Sequence, residues 1–271
     1  MKYQKYKPHS DLESLIKHYW TLEVPILDSP QKQRVVPDGN IEMIFMLGDD
    51  VKRFTSADEY IIQPRAMVIG QITEPFYILP TGRVETFAVS FYPYGFANFI
   101  TMPMNDLANR ETVLESLFEG NSTDELEKNV VNASDASTRI QHIENFLFEK
   151  LKDDSISDEI LKSTVDTLFS SKGNTQISAI LKNDQSKRKQ LERKFRKQIG
   201  ASPKQLSKVI RLQAALKMLL DRDSNSLTNI AYESGYYDQS HFIRDFKEFT
   251  GISPKEFLDD DEMKLSTLFY S

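Results

Sequence analysis

Along the first hundred residues the apolar positions come in short runs separated by turn-forming residues. Arg34 to Pro37, Ile41 to Leu47, Tyr60 to Ile62, Ala66 to Ile69, Phe76 to Leu79 and Val84 to Tyr92 are rich in β-branched and aromatic residues and too short for helices. Between or beside them fall Pro37-Asp38-Gly39-Asn40, Gly48-Asp49-Asp50, Pro64, Gly70, Pro80, Gly82 and Pro93, all turn punctuation. Strands this short at this spacing predict a sandwich or small barrel. From about Tyr94 the period becomes helical, with Leu114, Leu117 and Phe118 and then Ile140, Ile143, Phe146, Leu147 and Leu151 three or four apart. These read as helices packed on the barrel, with the polar stretch Gly120 to Ser137 looping out and Lys152-Asp153-Asp154-Ser155 as a linker.

Beyond the linker one layout occurs twice. Ile177, Ile180 and Leu181 share a helical face, a polar break follows from Lys182 to Ser186, and Leu191, Phe195 and Ile199 then recur at i, i+4 and i+8. Gly200 closes that helix and Ser202-Pro203 opens the next. In the second copy Leu227, Ile230 and Ala231 form the short helix with Thr228 in its first turn, Gly235 makes the break, and Phe242, Phe246 and Phe249 line the core side of Gln239 to Thr250. Phe195-x4-Gly200-x-Ser202-Pro203 is matched by Phe246-x4-Gly251-x-Ser253-Pro254. A long helix, roughly Pro203 to Asp221, joins the units. Short helix, tight turn and second helix is the layout that lets the second helix lie in a DNA major groove.

Charge sharpens this picture. The 271-residue chain has a formal net charge of -6, but Lys172 to Leu258 holds 17 Lys and Arg against 9 Asp and Glu, leaving 17 against 31 elsewhere. A basic module on an acidic one suits a protein that presents one face to phosphates. In the first recognition helix Lys189, Arg193 and Arg196 lie outside the apolar stripe, with Lys187, Arg188, Lys194 and Lys197 at its margins. Such side chains neutralise phosphates, and an Arg fork matches the O6 and N7 of guanine. A solvated basic helix face is the plainer alternative.

The stretch IAYESGYYDQSHFIRDFKEFTGISPKEF resembles the second helix-turn-helix signature of AraC/XylS-type regulators, and QLERKFRKQIGASPKQLSKVIRLQAAL resembles their first recognition helix and linker helix. The resemblance covers about the last 110 residues. It implies a seven-helix domain whose recognition helices enter successive major-groove segments of double-stranded DNA. Carried over by position, it implies groove-facing Lys189, Glu192, Arg193 and Arg196 in the first unit and Gln239, Ser240, His241, Arg244 and Lys247 in the second. With Lys187, Arg188, Lys197 and Thr228 these are the expected DNA-binding residues. His241 taken alone reads as a packed or exposed histidine; its groove-side place comes from the motif around it. Two positions depart from the family pattern. Ser186 stands one residue further from Leu191 than usual, and Tyr236-Tyr237 replaces an aromatic followed by a small polar residue.

The N-terminal part, through Tyr6-x-Pro8, Leu15 to Trp20, Arg34 to Gly39 with Ile41 to Phe45, and Phe91 to Gly95, resembles an effector-type domain found in front of this module. That implies a cupin-like or related β-fold that binds a small effector, pairs subunits, or both. The expected architecture is α+β, with a β-rich sensor or dimerisation domain at 1–151 and an all-α DNA-binding domain at 156–271. The aromatic residues Phe76, Tyr77, Phe87, Phe91, Tyr92, Phe96 and Phe99 would line an apolar pocket or fill an ordinary core. His9, His18 and His142 lack ligand spacing and the chain has no cysteine, so no catalytic or metal-binding residue, cofactor or enzymatic activity is expected. The N-terminus carries no apolar leader and the chain no membrane-length apolar run, which places it in the cytoplasm, at the bacterial nucleoid. Two readings follow: a DNA-binding regulator modulated by an effector, or a constitutive one whose first domain only makes a homodimer. RNA polymerase is a further expected partner.

Overall fold

The N-terminal part forms ten strands, six of them from the predicted runs: β1 (Lys2–Tyr6), β2 (Ile16–Val24), β3 (Gln33–Val35), β4 (Ile41–Met46), β5 (Val51–Phe54), β6 (Tyr60–Ile62), β7 (Ala66–Ile69), β8 (Phe76–Pro80), β9 (Val84–Phe91) and β10 (Glu111–Val113). The structure is a computed structural model that describes residues 1–26, 30–152, 159–181, 185–220 and 226–258. A six-stranded antiparallel sheet in the order β1-β2-β9-β4-β7-β10 faces a four-stranded one in the order β3-β8-β5-β6. The large sheet is a middle layer buried on both sides. On β4 and β9, Met43, Phe45, Phe87, Val89 and Phe91 pack toward the helices, while Ile44, Met46, Val84 and Ala88 face the small sheet. Apolar side chains on both faces explain why these strands read as nearly continuous apolar runs.

Four strands, β1, β2, β5 and β10, fall outside the sequence-predicted runs. β1 reads KYQKY and sits at a sheet edge with most of its residues exposed, so charge and edge position hide its pairing with β2. The stretch expected to loop out forms helix α1 (Ser122–Asn132), which buries only Thr123, Leu126 and Val130. That narrow stripe is too sparse to stand out by period. Helix α2 (Ala136–Lys150) follows, its N-terminus capped by Asp135, whose carboxylate accepts from the Thr138 backbone N–H at 2.9 Å.

Most of the expected linker lies outside the described residues, as does the acidic tail from Asp259. From Glu159 onward seven helices are described: α3 (Glu159–Ser170), α4 (Ile177–Ile180), α5 (Gln185–Gln198), α6 (Pro203–Leu220), α7 (Leu227–Glu233), α8 (Gln239–Thr250) and α9 (Pro254–Leu258). Helix α5 begins at Gln185, so Gln185 and Ser186 belong to the recognition helix rather than to the polar break.

The two halves share apolar structure. One cluster runs from Phe99, Ile100, Met104 and Leu107 of the β-rich half into Leu181, Leu191, Phe195, Ile199, Leu206 and Ile210 of the helical half. The turn Pro37-Asp38-Gly39-Asn40 makes a second seat. Gly39 adopts φ +82°, a left-handed conformation suited to glycine, and a side chain there would meet Leu206 Cδ1 at 3.3 Å on α6. Gln213 of α6 donates from Nε2 to the Pro37 carbonyl at 2.5 Å, and Gln71 donates to the Gly39 carbonyl at 2.8 Å. Val36 is buried in the apolar cluster that holds the second helix-turn-helix unit, beside Val209 and Leu212.

Candidate nucleic-acid interface

Each recognition helix is fixed by a buried stripe and presents exposed cations on part of the remaining circumference. On α5 Leu191, Phe195 and Ile199 are buried, and on α8 Phe242, Phe246 and Phe249 are. Both helices end in a left-handed glycine, Gly200 at φ +89° and Gly251 at φ +80°. Beyond each glycine the chain forms the same reciprocal N-cap. Ser202 N–H donates to Gln205 Oε1 at 3.0 Å while Gln205 N–H donates to Ser202 Oγ at 3.2 Å. Ser253 and Glu256 repeat the pair at 2.7 and 3.3 Å. The duplicated Ser-Pro-Lys-Gln and Ser-Pro-Lys-Glu segments are thus duplicated helix starts, with proline at the first helical position.

Lys187, Arg188, Lys189, Arg193, Arg196 and Lys197 all lie exposed on α5. Glu192 is half-buried and accepts from Arg188 Nε at 3.3 Å, one turn away. On the second unit Thr228, Ser240, Arg244 and Lys247 are exposed, while Gln239 and His241 are half-buried. The N-terminus of α8 is tied down at two points. Asp238 accepts from the His241 N–H at 2.7 Å, and Thr228 Oγ1 donates to Gln239 Oε1 at 2.9 Å, joining α7 to α8. The groove-facing set carried over from the family is therefore mixed: the long cations are free to reach outward, while Gln239 and His241 also serve the turn.

Sequence reading missed the group that anchors α8 to α6. Asp245 is fully buried, and its carboxylate lies 3.2 Å from Lys208 Nζ, 3.9 Å from an Arg211 guanidinium nitrogen and 3.4 Å from His241 Nε2. Tyr236 packs edge-on to His241 and under the Arg211 guanidinium. Desolvation and then Asp245 push the Tyr236 hydroxyl well above its ordinary value, so it stays protonated. The available signal was Asp245 beside Phe246, on the core edge of an amphipathic helix. Tyr236 and Tyr237 divide the turn between them, Tyr236 inward at 3% exposure and Tyr237 outward at 87%.

Between the two sheets lies a cavity of about 430 Å³, lined by Tyr3, Trp20, Ile44, Met67, Phe76 and Val84 among others, with Phe169 of α3 and Gln213 of α6 closing one side. Of the aromatic residues singled out in the sequence only Phe76 lines it, while Phe87, Phe91, Phe96 and Phe99 fill the core on the opposite side of the large sheet. Among the described residues no helix is long and apolar enough to cross a membrane.

Residues 4–113 match a domain of unknown function (DUF6597), and residues 185–260 match the helix-turn-helix domain family. The C-terminal part is an AraC-type helix-turn-helix domain. An "Uncharacterized HTH-type transcriptional regulator" of Haemophilus influenzae is 36% identical over 63 residues, covering 23% of this chain and 21% of that protein. The match thus spans about a fifth of the curated relative. Among solved structures, ToxT of Vibrio cholerae aligns at 14% identity over 89% of this chain and 98% of its own, with a TM-score of 0.48. Wild-type ToxT with an unsaturated fatty acid bound aligns at 14% identity over 88% and 93%, with a TM-score of 0.44.

Proposed function

We propose that this chain is a transcription regulator that binds double-stranded DNA sequence-specifically through α5 and α8, under the control of a small effector in the β-rich domain. The carrying observation is the pair of recognition helices, each seated by a buried apolar stripe and closed by the same glycine cap, and each presenting exposed cations. Arg193 and Arg244 sit two residues before Phe195 and Phe246, so they hold equivalent outward places and are the residues assigned to base reading. Lys187, Arg188, Lys189, Arg196, Lys197 and Lys247 neutralise phosphates, with Thr228 at the backbone and Gln239, Ser240 and His241 near the base edges. The cavity between the sheets favours the effector-controlled reading over a constitutive one, because it is ligand-sized and reaches the linker helix α6 through Gln213. The reading includes the division at 1–151 and 156–271, a homodimer formed through the acidic domain, RNA polymerase as a partner and action at the cytoplasmic nucleoid.

The test is selection on randomised duplexes with the full chain. The selected motif should contain two segments about one helical turn, roughly 10 bp, apart, and affinity should fall steeply as salt rises. Arg193→Ala should cost about 1 to 3 kcal/mol and relax one base pair of one segment, and Arg244→Ala one base pair of the other. Lys197→Ala should weaken all sequences alike and lower the salt slope by about one. Binding that ignores salt, or a motif unchanged in both Arg variants, counts against the assignment.

A further inference from the structure

Charged groups of both signs line the cavity between the sheets. Lys5 and Lys17 are among them, with Lys5 Nζ over the Tyr3 ring at 5.2 Å from its centroid and Lys17 donating to Asn40 Oδ1 at 3.4 Å. Glu42 stands on β4, accepting from Trp20 Nε1 at 2.9 Å, with the Ser90 hydroxyl against it from β9. Asp38, from the turn that seats α6, lies near enough to repel it, and Asp38 is itself held by Asn40, which donates from its backbone N–H at 3.0 Å and its side chain at 2.7 Å. The rings of Tyr3 and Trp20 stand 5.9 Å apart beside these carboxyl groups. Gln33, Gln63, Thr86 and Gln213 also line the cavity, and the rest of its wall is largely apolar, including Leu22, Ile44, Met67, Phe76 and Val84.

Glu42 and Asp38 thus share one enclosure with two aromatic rings and a largely aliphatic wall. We propose that this cavity binds an organic cation, an amine or amidine with an apolar body, whose charge sits between Glu42 and Asp38 and beside the rings of Tyr3 and Trp20. Cations are drawn both to paired carboxylates and to aromatic faces, and both attractions strengthen when water is excluded. The two lysines act the other way, Lys5 from over the Tyr3 ring and Lys17 from beside Asn40, so the arriving cation has to share those places with them. Lys17 is the weakest of the influences on Glu42, behind desolvation, Asp38, Ser90 and Trp20. His18, also at the wall, is held down to about 4 by desolvation, Lys17 and Lys5, and so is uncharged at neutral pH.

The assignment deepens the effector reading and has its own signature. Burial and Asp38 push Glu42 up to about 8, so at neutral pH the empty site holds a proton that an arriving ammonium must displace. Calorimetric titration of the full chain with 2-phenylethylamine, and with 3-phenylpropionate and 2-phenylethanol as the anionic and neutral matches, tests it. The amine should bind at least tenfold more tightly than either match, release close to one proton at pH 7 as judged from buffers of different ionisation enthalpy, and gain affinity from pH 6 to 8. Glu42→Gln should lose at least tenfold in amine affinity, and Lys17→Gln should gain severalfold. Preference for the carboxylate, equal binding of amine and alcohol without proton release, or no binding of any of the three overturns the proposal. DNA affinity measured with and without the amine separates the two readings. Amine binding that leaves DNA affinity unchanged supports the site and removes its role as an effector site.

Discussion

A carboxylic acid enclosed beside a second one keeps its proton more easily than it gives it up, and Glu42 therefore ties stability to pH. Its folded value of about 8 lies above the ordinary 4.5, so the folded chain binds a proton that the unfolded chain has released between these values. Its stabilising contribution is complete below the unfolded value and is lost as pH rises through about 8. Melting temperatures across pH 5 to 9 should fall for the parent relative to Glu42→Gln, and the variant should be the more stable above pH 8. A constant difference between the two would show that Glu42 is not held neutral. Asp245 is buried beside Lys208, Arg211 and His241. Asp245→Ala leaves Arg211 without that carboxylate, while Lys208 keeps Glu248 at 2.9 Å, and should cost on the order of 3 kcal/mol by denaturant melting. Arg193→Ala, at an exposed position, should stay within about 0.5 kcal/mol of the parent while altering DNA selection.

At the level of elements, the two recognition helices end in one motif and rest on different neighbours. A Cβ on Gly200 would meet the Met104 carbonyl oxygen at 2.7 Å, whereas one on Gly251 finds nothing nearer than the Tyr77 hydroxyl at 3.7 Å. Gly251→Ala should cost only the left-handed backbone term, about 1 to 2 kcal/mol, and Gly200→Ala distinctly more. Equal losses in chemical denaturation would rule out a close approach of Met104 to α5. This contrast marks the boundary of what the sequence discloses. The helices themselves were legible because Leu191, Phe195 and Ile199, and Phe242, Phe246 and Phe249, repeat at helical spacing and each run stops at a glycine. Strands β6 and β7 were legible from Pro64 and Gly70 around them. β1 was not, because lysines alternate along an exposed edge, and neither was α1, whose buried stripe is only three residues wide. The cavity could not be read because Glu42, Asp38, Trp20 and Gln213 meet only through the pairing of distant strands and the docking of α6.

For the whole molecule, the division into an acidic β-rich half and a basic helical half describes charge better than it describes packing. Phe99, Met104 and Leu107 lie in one apolar cluster with Leu191, Phe195 and Ile199. A shared core makes unfolding cooperative across the two halves, so scanning calorimetry should show one transition with matching calorimetric and van't Hoff enthalpies. Two resolved transitions would show that the halves melt apart. Gln213→Ala removes the bond to Pro37 and should cost about 0.5 to 1.5 kcal/mol while keeping that single transition.

The contact of Met104 with Gly200 bears on domain exchange as well as on stability. Grafting α3 to α9 onto a foreign N-terminal domain would remove Met104 from the apolar cluster that holds Phe195 and Ile199, and would take Pro37 away from Gln213. Among the described residues the buried cluster of the second unit takes in Val36 alone from the β-rich half, with Pro75 and Tyr77 near Gly251 at its edge, so it loses less by such an exchange. Exchange of the C-terminal part between chains of this build should therefore disturb the first helix-turn-helix unit more than the second.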